Sequence, residues 1–150
     1  MNEADVVTAI TRQHVHHLEH EGQHYFFFDP GAGFEVDKRL PFATIVTSDA
    51  IDEASNLDRM GVYRLNVGVS RATYEQLFGP PPPATRDMPV LNTGYDYKAL
   101  DQLMPHPIYA PLGWVCVLNP SATTFQTVRP LLHEAWSMAE RRFQARNERP

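Results

Sequence analysis

Residues 113–118 read Gly-Trp-Val-Cys-Val-Leu and run into Asn119-Pro120. An apolar run of this kind leaves neither face of an extended chain to water, so the segment is predicted as a strand covered on both sides. The final helix follows, with Val128, Leu131, Leu132, Ala135, Met138, Ala139 and Phe143 on one stripe and polar residues opposite, the pattern of a helix laid on a sheet. If Thr127 caps it, Pro130 falls in the tolerated first turn; if Thr124 does, Pro130 should kink it.

Working outward, Val62 to Val69 alternates, with Tyr63, Leu65, Val67 and Val69 on one face and Val62, Arg64, Asn66 and Gly68 on the other. One face belongs to a core and the other is partly polar. Ser70 can cap a middle helix that runs through Phe78 and stops at Gly79. Pro80 to Pro83 supply no backbone donors, so residues 79–92 read as a surface excursion. Tyr95 to Met104 is given a short helix ending before Pro105.

Upstream, Val6, Val7, Ile10, His14 and Leu18 recur near one face, which predicts a first helix over residues 3–18 with Asn2 as its cap. Gln23 to Phe28 reads as a strand that turns at Asp29-Pro30-Gly31, and Phe42 to Thr47 as a second, antiparallel to it. Gly31 to Pro41, with Gly33 and Asp37-Lys38-Arg39, suits a hairpin connection between them. There is no internal repeat and no second core. The expectation is one α+β domain over residues 1–150: an antiparallel sheet of about four to six strands carrying an N-terminal, a middle and a C-terminal helix.

The 150 residues hold 13 Lys and Arg against 18 Asp and Glu, a net charge of −5, with 43% hydrophobic residues. That is the composition of a chain able to build a core without a disulfide or structural metal. Cys116 is the single cysteine, so no internal bridge exists. A pI near 5.7 argues against nucleic acid, and Arg141, Arg142, Arg146 and Arg149 at the end of a helix complement its dipole. No apolar stretch reaches membrane-spanning length, and the opening MNEADVV carries acids where a signal peptide carries bases. The expected location is the cytoplasm.

The strings PFATIVTSD, SNLDR, GVYRLNVGVS and TYEQLFG between Pro41 and Gly79, with LMPHPIYAPLGWVCVLNPS before the closing helix, resemble an uncharacterised bacterial family of unknown function. More distantly, the order of an Arg-Leu-Asn strand, a helix, a Gly-Trp strand and a final helix resembles the MmcQ/YjbR-like domains. That likeness implies a small α+β protein and a nucleic-acid-binding regulator, a role from which the acidic balance departs. Neither resemblance brings a catalytic residue with it.

Two groups of residues invite chemistry. Between His14 and His24 stand five of the seven histidines, and on a helix His16 and His20 would form an i, i+4 pair with His17, His20, Glu21 and His24 along one edge. Imidazoles so placed suit zinc or nickel, giving His16, His17, His20 and His24 as the candidate metal ligands; the alternative is a solvated helix end. In Pro105-His106-Pro107 two prolines restrict the backbone around an imidazole. With Tyr109, Trp114, Arg64 and Asn66 it would make a small pocket of aromatic walls and polar anchors. The alternative is that His106 bonds a loop carbonyl while Trp114 packs in the core.

Cys116, in a buried strand, reads as a small hydrophobe rather than a nucleophile paired with His106 or His133. Asp49, Asp52, Glu53 and Asp58 match no calcium-loop spacing. No Walker loop, dinucleotide fingerprint, nucleophile elbow or zinc-ribbon pattern is present, so no cofactor is expected. The leading expectation is a non-enzymatic binding domain for a small molecule or protein partner, acting through Arg64, Asn66, His106, Tyr109 and Trp114. A nucleic-acid-binding regulator is the second reading and a metal-dependent enzyme using the histidine segment the third.

Overall fold

A computed structural model describes residues 1–31 and 39–147. Among the described residues the elements are α1 (Glu3–Ile10), β1 (Val15–His20), β2 (Gln23–Phe28), β3 (Ala43–Val46), β4 (Arg64–Gly68), α2 (Arg71–Phe78), β5 (Met104–Pro105), a 3-10 turn (Ala110–Leu112), β6 (Trp114–Leu118) and α3 (Ala122–Asn147). The six strands form one sheet in the order β1-β2-β3-β4-β6-β5, every neighbouring pair antiparallel. No helix among the described residues is long and apolar enough to cross a membrane.

Register follows from alternation. Ala43 pairs with Val67 and Ile45 with Leu65; Leu65 in turn pairs with Val117 and Val67 with Val115. These residues share one face, and on it lie Val6 and Ile10 of α1, Tyr74 of α2, and Phe125, Val128, Leu131, Leu132, Ala135 and Ala139 of α3. Each large side chain so covered contributes roughly 1.5–3 kcal/mol. Glu134 ties α3 to α2: its carboxylate accepts from the Ser70 backbone N–H at 2.7 Å and from the Thr73 hydroxyl at 2.6 Å.

The other face is covered by connections instead of helices. Val46, Cys116, Leu118 and Met104 pack there with Leu57 from the segment after β3 and Tyr97 from the segment before β5. β6, penultimate in the sheet, is thus apolar on both sides because both sides are covered.

Three sequence expectations are corrected. The first helix ends at Ile10. His14 takes a left-handed φ of 63°, and from Val15 the chain pairs with β2 through the two-residue turn Glu21-Gly22, whose φ values of 52° and 81° suit a tight hairpin. The i, i+4 spacing of Ile10, His14 and Leu18 was compatible with a helix, but pairing of the edge strand won. Residues 95–104 form no helix: the Asp101 backbone N–H donates to the Leu118 carbonyl at 2.6 Å, and Tyr97 donates its hydroxyl to the Leu91 carbonyl at 2.6 Å. Such tertiary bonds replace the local ladder. The last helix is capped by Ser121, whose Oγ accepts from Thr124 N–H at 3.1 Å, so Pro130 stands inside it. Pro130 and Gln126, whose carbonyl loses its partner, are both exposed, and water can serve that carbonyl. Most of the predicted hairpin connection, residues 32–38, lies outside the described residues.

Gly113 sets the entry to β6. Its φ is +88°, and a Cβ there would stand 2.7 Å from the Val69 carbonyl oxygen. Gly79, at φ +82°, has nothing within 4 Å of the equivalent point. In urea unfolding, Gly79→Ala should cost about 1 kcal/mol from backbone strain alone and Gly113→Ala about 1–3 kcal/mol more; equal losses would show that β6 tolerates displacement by the clash.

Candidate functional site

The loop-covered face carries the polar half of β4. Arg64, Asn66 and Gly68 alternate along it opposite Leu118, Cys116 and Trp114 of β6. Arg64 is only 1% exposed, yet four of its N–H groups are matched. Two of them, from Nη1 and Nη2, make a fork to the Asp52 carboxylate at 3.1 and 2.8 Å; Nη1 also donates to Ser55 Oγ at 3.0 Å, and Nε to Asn66 Oδ1 at 2.9 Å. Asn66 passes the network on by donating to Thr44 Oγ1 at 3.0 Å. Burial would raise the Asp52 carboxyl, but the hydrogen bonds and charge of Arg64 outweigh it and hold the group below its ordinary range.

His106 stands beside this network, 2% exposed, on the connection between β5 and β6. Its Nδ1 accepts from the backbone N–H groups of Ile108 at 3.0 Å and Tyr109 at 2.9 Å. The loop thus fixes the ring orientation, and the two prolines fix the loop. Burial, reinforced by the neighbouring Arg64 charge and only partly offset by Asp52, lowers the imidazole to about 3, so it is neutral. With Nδ1 occupied as an acceptor, the proton sits on Nε2.

Trp114 is half-buried and lies flat across Gly68, where a Cβ would come within 2.9 Å of the indole. The indole occupies the space that any other residue at 68 would need. Tyr109, 43% exposed, stands at the rim with its ring 4.9 Å from that of His106. Arg64, Asn66, His106, Tyr109 and Trp114 all line one cleft of about 380 Å³. Apolar side chains including Ile51, Val46 and Leu112 complete its walls.

Residues 1–148 match the sequence pattern of a family of unknown function, DUF6194. The chain belongs to that family. No curated protein and no solved structure matches this DUF6194 domain.

Sequence reasoning weighed Asp52 only as part of a cation cage and did not bring Ser55, Thr44 or Ile51 to the site. The signal for Asp52 was available: an arginine among buried alternating residues needs a nearby acid, and Asp52 precedes it by twelve positions. Of the three other acids, Asp49 and Asp58 serve the loop, since Asp49 accepts from Leu57 N–H at 2.7 Å and Asp58 from Asp49 N–H at 3.0 Å.

The candidate metal ligands separate once their segment is a hairpin. Strand alternation puts His16 and His20 on one face of β1, while His17 shares the opposite face with His24 of β2. His17 Nε2 and His24 Nδ1 are 2.9 Å apart, and His24 Nε2 bonds Glu3 at 2.6 Å. These bonds run in a line and tie β1 to β2 and to α1. Among the described residues no three His, Cys, Asp or Glu side chains gather where they could hold a metal ion. Cys116 is fully buried, its thiol pushed up to about 12 by burial, and so stays protonated.

The neutral His106 has a consequence for acid stability. Its pKa is about 3 in the folded chain against an ordinary 6.5, so between those values the unfolded chain binds more protons. Stability from this group is complete above pH 6.5 and declines on acidification. Between pH 7 and 5 the wild type should lose about 2 kcal/mol more than His106→Asn, whose Oδ1 can still accept the loop N–H groups. Urea titrations at both pH values measure this, and identical losses would place the charged imidazole comfortably inside the fold.

Proposed function

We propose that this DUF6194 domain is a non-enzymatic, cytoplasmic binding domain that takes a small, largely apolar molecule into the cleft between the polar side of β4 and the His106 loop. What carries the reading is a polar floor built before any ligand arrives, set inside apolar walls. Arg64, Asn66 and His106 are each oriented by partners other than a ligand. The cleft volume falls in the range of small-molecule sites. A wider hollow of about 510 Å³ between α1 and α3 is bordered by the exposed Arg12, Arg129 and His133. Its cations already lie over aromatic rings, Arg12 on Trp136 and Arg129 on Phe125.

The chemistry supports binding over catalysis. Cys116 is held as a thiol, and His106 has its basic nitrogen bonded to two backbone amides. Neither is poised to attack or to take a proton.

A fragment screen read by methyl resonances provides the test. Fragments should perturb the methyl groups of Val46, Ile51 and Leu112 and leave Ile10 and Leu132 of the wider hollow unmoved. Tyr109→Ala, a change at the rim, should weaken those fragments about threefold to tenfold without unfolding the protein. Perturbations confined to Ile10 and Leu132, or none at all, would remove the cleft from consideration.

A further inference from the structure

The polar groups around the cleft divide by hydrogen-bonding sense. The acceptors are already engaged: both oxygens of Asp52 receive Arg64, Asn66 Oδ1 receives Arg64 Nε, Gln23 Oε1 receives the Thr47 N–H, and His106 Nδ1 receives its own loop. Donors remain. His106 Nε2–H, required by the tautomer, meets no acceptor among the described residues. Nor is it sealed in, because Arg39 Nε is the one fully enclosed side-chain nitrogen or oxygen without a partner among those residues. Nε2 therefore reaches accessible space, and the space that His106 lines is the cleft. Asn66 keeps a second amide hydrogen and Trp114 its indole N–H. The hydroxyls of Thr44 and Tyr25 on the wall can turn either way.

Charge narrows the occupant further. Arg64 and Asp52 are the only ionised side chains that line the cleft among the described residues, and they neutralise each other in a fork. An anion brought here would surrender its hydration without meeting a net positive charge.

Resting on the cleft as the binding site, the geometry points to an uncharged ligand with an apolar body and a carbonyl-type acceptor that receives the His106 Nε2–H. The apolar body lies against Trp114, Ile51 and Leu112, and the acceptor oxygen turns inward to the imidazole. A hydrogen bond made against apolar walls is stronger than one made in open water, so a ligand that supplies the acceptor to Nε2–H gains by that bond while its apolar body covers the site.

Three one-ring probes separate the possibilities: acetophenone as the neutral acceptor, benzoate as the anionic one and ethylbenzene as the hydrocarbon. Affinities come from the Val46, Ile51 and Leu112 methyl shifts, and the contact from the imidazole 15N and proton resonances of His106 in the wild-type protein. Acetophenone should bind about tenfold more tightly than either of the others and alone move the Nε2–H resonance downfield. His106→Asn should erase its advantage over ethylbenzene while ethylbenzene still binds. Benzoate binding as tightly as acetophenone, or acetophenone binding with Nε2–H unmoved, overturns the neutral-acceptor assignment and leaves the cleft standing. Binding of none of the three at the cleft methyls overturns both.

Discussion

A guanidinium with almost no exposure to water is tolerable only where its charge and its hydrogens are answered, and the loop after β3 exists in its present course to answer Arg64. Asp52 and Ser55 come from that loop, Asn66 from two residues along the same strand. Pinning the loop at Asp52 brings Leu57 down onto Val46, Cys116 and Leu118, so the ion pair organises an apolar cluster around itself. Breaking one side of such a pair is far more damaging than never having built it. The sheet can therefore leave this face without a helix.

The same pair governs the chemistry beside it. By cancelling its own charge it makes the cleft floor polar but neutral, and by standing next to His106 it helps keep the imidazole uncharged. The cleft floor thus offers shape and hydrogen-bonding groups without a net charge.

Much of the architecture was legible because the signals were periodic and supported by burial. The alternation through β4, the apolar run of β6 and the stripe of α3 each match a strand or helix of the structure. Ser70 and Gly79 bracket α2 as their cap chemistry implies. Failures fell where local pattern was weak and distant partners decided. Residues 15–20 had polar histidines on both faces and became an edge strand through pairing with β2, while residues 95–104 took their shape from bonds to Leu91 and Leu118. Of the site, Arg64, Asn66, His106, Tyr109 and Trp114 were visible as residue types, and the structure shows them meeting in one cleft. Their convergence depends on β4 and β6 being neighbours, and the role of Asp52 on a loop crossing over them. Neither is written in any local window.

Alternation in β4 binds fold and chemistry into a single reading frame. Leu65 and Val67 look toward the helices while Arg64 and Asn66 look toward the cleft. Deleting one residue of this strand would send the guanidinium into the oil and the leucine into the polar network at one stroke. Five residues thus carry two messages that no insertion or deletion can edit separately, and on the cleft side the paired Arg64 and the indole-covered Gly68 leave Asn66 as the position most open to substitution.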